Sequence, residues 1–131
     1  MAQLVTNLGL ANVVAAWAAY ASRARYLQWG VGSGQSATST DLASKTGTSE
    51  ARIEATSSQE TASTTGDTYQ LVGTLTAAGT RAITEVGVFD AAGSGSPPAG
   101  GNMGIYGDFS AVNLASGDSI TFTVRTTLDQ A

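Results

Sequence analysis

The stretch that decides the fold runs from Arg81 to Thr127. It reads R-A-I-T-E-V-G-V-F-D at Arg81–Asp90, then a glycine-rich spacer, G-N-M-G-I-Y-G-D-F-S at Gly101–Ser110, and S-G-D-S-I-T-F-T-V-R-T-T at Ser116–Thr127. These are three strand patterns in a row, separated by turn chemistry. The first has apolar residues on both faces, Ile83 and Phe89 on one and Ala82, Val86 and Val88 on the other, so it belongs in the middle of a sheet covered on both sides. The third alternates cleanly: Ile120, Phe122 and Val124 face one way, and Ser119, Thr121, Thr123 and Arg125 the other. That is a half-buried strand with a wet face. The block is expected to form the rigid half of a β-sandwich.

Working outward, Thr68–Thr76 is another strand, with Tyr69, Leu71 and Leu75 on its apolar face and turn residues on either side. Tyr26–Val31 and Arg52–Thr56 complete the apolar set; in the latter, Ala51, Ile53 and Ala55 are expected inward and Arg52 and Glu54 outward. Met103–Phe109 is expected to place Met103, Ile105 and Phe109 on the core face. The only good helix pattern spans Asn7–Ser22, capped by Thr6 or Asn7, with Leu10, Val13, Val14, Trp17, Ala18 and Ala21 on one face. The sum is about six strands with no helices between them, and parallel crossovers need such helices. The fold class is therefore all-β: a mostly antiparallel two-layer β-sandwich with one N-terminal α-helix, in a single domain over residues 1–131.

Two long connections remain. Gln35–Ser49 is Ser/Thr-rich and too long for a structureless loop in a compact domain unless it is laid against something. Ala92–Asn102, which contains Pro97-Pro98, is expected to be a mobile surface loop.

Composition removes much chemistry. The 131 residues include no cysteine and no histidine. That excludes disulfides, Cys/His zinc sites and histidine-dependent nucleophile systems. Six basic against ten acidic residues leave a net charge of −4, which argues against nucleic-acid binding through clustered cations. No run is long and apolar enough for a membrane span. Leu4–Ala21 ends in a small-x-small triplet at Ala19-Tyr20-Ala21, but without a preceding positive charge no secretory signal is expected.

The remaining candidate sites read as structural. Gly30-Val31-Gly32-Ser33-Gly34 resembles a phosphate loop but lacks the Gly-Lys-Ser/Thr ending, so a glycine-dependent turn is the better reading. Glu85 and Asp108 could approach each other on adjacent strands as a glycosidase pair does. The sequence offers no aromatic-lined cleft, and Glu85 is expected to be satisfied by an arginine or by backbone donors. Asp67, Asp90 and Asp118 are isolated turn aspartates without calcium-loop spacing, expected to bond their own backbone. No catalytic residue, metal or cofactor is expected.

The runs Y-L-Q-W-G-V-G-S-G (Tyr26–Gly34), D-T-Y-Q-L-V-G-T-L-T (Asp67–Thr76), A-I-T-E-V-G-V-F-D-A (Ala82–Ala91) and G-N-M-G-I-Y-G-D-F-S-A-V-N-L-A-S-G-D-S-I-T-F-T (Gly101–Thr123) resemble small virion proteins of tailed bacteriophages. Members of that group are labelled head-decoration or tail-fibre proteins. The resemblance implies a capsid decoration or cement protein, a homo-oligomer with a trimer favoured, bound to the major capsid protein. It would be made in the host cytoplasm and placed on the capsid surface, contacting neither nucleic acid nor membrane. Expected partner contacts are Leu4, Val5 and Leu8, the Arg23/Arg25 pair, and Asp41 and Lys45 in the long loop. The alternatives are a tail-fibre or tail-tip component, or a carbohydrate module with Tyr106 and Trp29 as its aromatic platform.

Overall fold

The structure is a computed structural model that describes residues 3–129. It bears out the antiparallel sandwich with its N-terminal helix. The described residues form α1 (Asn7–Ala19) and strands β1 (Tyr26–Gly30), β2 (Ile53–Glu54), β3 (Thr56–Glu60), β4 (Thr68–Thr76), β5 (Arg81–Phe89), β6 (Met103–Leu114) and β7 (Ser119–Thr127). One sheet has the order β2-β1-β5-β6 and the other β3-β4-β7, and every pairing is antiparallel.

The Arg81–Thr127 block is not one half of the sandwich. β5 and β6 pair in the first sheet, but the turn at Ala115–Asp118 carries the chain across to the second, where β7 pairs with β4 along its whole length. The reason lies in the wet faces. Thr74 and Thr76 on β4 find hydroxyl partners in Thr121 (2.8 Å) and Ser119 (2.6 Å) on β7, the cross-strand pairing that a polar sheet face favours, and the buried Thr68 pairs with Thr127 (2.9 Å) at the other end of the ladder.

The core lies between the sheets. Leu27 and Trp29 from β1, Tyr69, Leu71 and Leu75 from β4, Ile83, Val86 and Val88 from β5, and Leu114 and Phe122 form one buried cluster. Ile83 and Val86 share this face despite their odd spacing, because the β5–β6 register shifts between Ile83 and Glu85. A bulge of this kind re-phases a strand, so the two faces of β5 are not divided as simple alternation implies. A second shift near Phe89 has the same effect on β6: Ile105 and Phe109 reach the core, whereas Met103 lies on the opposite side, against Gly87.

α1 closes one end of the sandwich. Thr6 caps it by accepting the Gly9 N–H at 3.2 Å. Val14 is buried, and Trp17 stacks on Tyr69 at 4.5 Å between ring centres. The helix stops at Ala19 and not at Ser22. Tyr20 turns extended, and its carbonyl accepts both the Arg23 N–H (3.2 Å) and the Arg23 guanidinium (3.0 Å).

Candidate functional site

The outer face of the β2-β1-β5-β6 sheet carries the polar residues, and it is covered by neither a helix nor the other sheet. The two long connections are laid over it. Glu85, fully buried at 0 % exposure, is the post that holds the first. Its Oε1 accepts the N–H groups of Gly32 (3.1 Å) and Ser44 (2.9 Å); its Oε2 accepts the Ala43 N–H (3.1 Å) and the Tyr106 hydroxyl (2.9 Å). Asp108 stands directly opposite Glu85 in the β5–β6 register and accepts the Gly34 N–H at 3.0 Å.

The two carboxylates singled out by sequence are thus brought together, but they grip a loop. A carboxylate offers about four acceptor sites, and Glu85 has four donors within the chain to fill them. Backbone donors satisfy it, as anticipated. The Tyr106 hydroxyl, desolvated by burial and donating to Glu85, has its pKa pushed up to about 12.

The glycine run acquires its meaning here. Gly30 and Gly32 are required by close approach and not by an unusual backbone angle. A Cβ on Gly30 would strike Glu85 Oε1 and the Ser44 carbonyl, and one on Gly32 would stand 2.7 Å from Ala43 Cβ and the Ser44 nitrogen. Only Gly34, with φ of 81°, occupies the left-handed region. The loop does cradle an anion, but that anion is the protein's own carboxylate.

Arg52 holds the second connection, and here the expectation of an outward side chain is overturned. It is 8 % exposed. Its guanidinium lies 3.7 Å from the centre of the Phe89 ring and donates to Gln28 Oε1 (2.8 Å), the Ala91 carbonyl (2.9 Å) and the Gly100 carbonyl (2.7 Å). A cation stacked on an aromatic face with carbonyl acceptors around it tolerates burial. Gln28 in turn donates to the Pro98 carbonyl at 3.1 Å. Ala92–Asn102 is therefore tied down from beneath and is not the free loop expected. Neither Arg52 nor Gln28 was predicted as an anchor. The one available signal was a polar residue inside an apolar strand, Gln28 between Leu27 and Trp29.

Glu50 forms a third hub, also missed. It pairs with Arg81 at 3.0 Å and accepts the Trp29 indole N–H (3.2 Å), the Ala78 N–H (2.9 Å) and the Ser49 N–H (2.9 Å). Burial raises its pKa, but the Ala78, Ser49 and Trp29 donors outweigh that and hold the carboxyl at about 2. The turn aspartates behave as expected. Asp67 accepts the N–H groups of Ala62, Ser63 and Thr64, which hold its pKa below the ordinary range against burial. Asp90 accepts from Asn102 and Asp118 from Ala115.

Of the expected contact residues, Leu4 (74 %), Leu8 (71 %) and Val5 (54 %) are exposed. The charged ones have partners within the chain. Arg25 pairs with Glu54 at 3.1 Å, Arg23 donates to Ser57 at 3.0 Å, and Lys45 pairs with Asp41 at 2.7 Å while also donating to the Pro98 carbonyl at 3.2 Å. Trp29 is 1 % exposed, so it cannot serve as a sugar-stacking platform. Among the described residues no cluster of three acidic or other metal-ligating side chains occurs, and no helix is long and apolar enough to cross a membrane.

What defines the class of this protein is an antiparallel sandwich whose polar residues are spent on fastening its loops, with an apolar N-terminal surface left outside. Comparisons with family models, with curated proteins and with solved structures each produced no match.

Proposed function

We propose that the chain is a structural subunit of a tailed-bacteriophage virion, a capsid decoration or cement protein that binds the outer surface of the major capsid protein lattice and stabilises the head. One observation carries the assembly role: α1 is apolar on its solvent side as well as its core side. No charged residue precedes Arg23. Leu10 and Val14 face the core, while Leu8, Val13 (52 %) and Tyr20 (61 %) lie exposed, as do Leu4 and Val5 ahead of the helix. A helix that is apolar all round is normally buried, and burying a side chain such as Leu8 contributes about 1.5–3 kcal/mol. The resemblance of the strands and turns to phage virion proteins supports the identity of the partner.

The rigid sandwich suits this role. Its carboxylates are consumed in holding loops, so binding energy comes from surface complementarity and not from a pocket. The test is co-sedimentation of the purified chain with phage heads that lack it, together with electron microscopy of virions carrying a labelled chain. Head binding that Leu8→Asp or Val13→Asp weakens at least ten-fold is expected. Label confined to the tail would transfer the protein to a fibre or tip.

A further inference from the structure

The capsid contact proposed above needs no pocket, yet the molecule builds one. A groove of ≈ 320 Å³ lies between the first long connection and the start of β6, at the lower end of the about 300–1,000 Å³ that small-molecule sites span. Gln35, Ala37 and Ser39 line one side, and Met103, Ile105 and Tyr106 the other. None of its lining belongs to α1, so the groove is distinct from the surface assigned to the capsid.

Both walls are fixed before any ligand arrives. The Tyr106 hydroxyl donates to Glu85 at 2.9 Å and accepts the Gln35 N–H, so the ring is held at its far end. The Gly34 N–H donates to Asp108 at 3.0 Å and the Met103 N–H to the Thr40 carbonyl at 3.0 Å, which clamps the chain to β6 on both sides of Gln35–Ser39. The Gln35 amide nitrogen donates to the Asp41 carbonyl at 2.6 Å, and Ser39 Oγ accepts the Ser36 N–H at 3.0 Å. Walls set in advance remove much of the ordering cost of binding.

What those bonds leave over selects the ligand. Among the described residues nothing donates to Gln35 Oε1 and nothing accepts the Ser39 hydroxyl proton. One acceptor and one donor thus stand on one wall, with the side chains of Met103, Ile105 and Tyr106 on the other. No charged residue lines the groove. An anion would sit close to the Glu85 and Asp108 carboxylates, and a cation would find both already engaged by donors within the chain. A pyranose ring answers all of this, because it is neutral, carries hydroxyls on its rim and offers C–H groups on its faces. We propose that the groove binds one neutral sugar unit, with its hydroxyls on Gln35 Oε1 and the Ser39 hydroxyl and a C–H face on the Tyr106 side. Trp29, buried in the core, takes no part.

The test is an NMR titration of the whole isotope-labelled chain with the methyl glycosides of glucose, galactose and N-acetylglucosamine. At least one should bind with Kd on the order of 1–10 mM, shifting the amides of Gln35–Ser39 and Met103–Tyr106 above all others. The uronic acid of the bound sugar should bind about ten-fold more weakly, because of the two carboxylates nearby. Ala37→Trp, at an exposed position on the groove wall, fills the space and should abolish binding. Ser39→Ala should weaken it about three- to ten-fold by removing one hydrogen-bond donor. Should Ala37→Trp disturb the β4 and β7 amides, Ser39→Ala decides alone. No shifts with any of the three glycosides, shifts scattered over the surface, a uronic acid that binds as well, or binding that survives either substitution would each overturn the site. Leu8→Asp should bind the sugar as the parent chain does, so that sugar binding and head binding are lost or kept separately.

Discussion

Replacing Glu85 with glutamine changes no shape and one charge, so it isolates the carboxylate's grip on the loop. The favoured amide orientation keeps the oxygen on Gly32 and Ser44 and places the NH2 where Oε2 accepted from Ala43 and Tyr106. The Tyr106 hydroxyl can rotate to accept, but the Ala43 N–H then faces another donor. An unsatisfied buried N–H costs ~1–3 kcal/mol, and each charge-assisted bond that becomes neutral loses ~0.5–1 kcal/mol. The sum is about 3–5 kcal/mol, a large share of the ~5–15 kcal/mol that holds a typical domain. Urea denaturation should show the midpoint falling by roughly 2 M at ordinary slopes. Amide exchange at Gly32, Ala43 and Ser44 should accelerate more than at Val86 or Leu71 in the core. A loss under about 1 kcal/mol with those three amides still protected would refute the anchoring argument.

The remaining predictions concern the other fastenings. Glu50 has its folded-state pKa depressed from 4.5 to about 2, so its stabilisation is present above the ordinary value and is lost as pH falls from 4.5 towards 2. Glu50→Gln should flatten the acid-unfolding profile in that window, and an unchanged profile would count against the hub. Arg52→Ala should cost about 2–4 kcal/mol by freeing two loop carbonyls and uncovering Phe89, with proteolysis appearing first within residues 92–101. Arg52→Met, which keeps the packing, should recover part of the loss in thermal melts. Gly73→Ala should cost ~1–3 kcal/mol through overpacking, because the new Cβ would stand 2.7 Å from Leu27 Cδ1 and 2.8 Å from Ile53 Cδ1. A melting temperature equal to that of the parent would show that these side chains yield freely.

The strands were legible because a period of two survives any tertiary arrangement. Thr68–Thr76 and the Tyr69, Leu71 and Leu75 face were found at their observed positions. The boundary between the sheets was not legible. Alternation records which residues are wet, not which sheet a strand joins, so β7 was grouped with β5 and β6. The bulges hid as well, since a single extra residue leaves no compositional mark while moving Met103 off the core face.

The candidate site divides along the same line. Chain chemistry alone was enough to exclude cysteine and histidine reactions, to mark Glu85 as a carboxylate that needs donors, and to assign the aspartates to turns. These are properties of residue type and near neighbours. That Glu85 is gripped by Gly32, Ala43 and Ser44, and that Arg52 lies buried on Phe89, both follow from tertiary structure. Each depends on groups tens of residues apart, whose meeting is set by how the two sheets close on each other and on their covering loops.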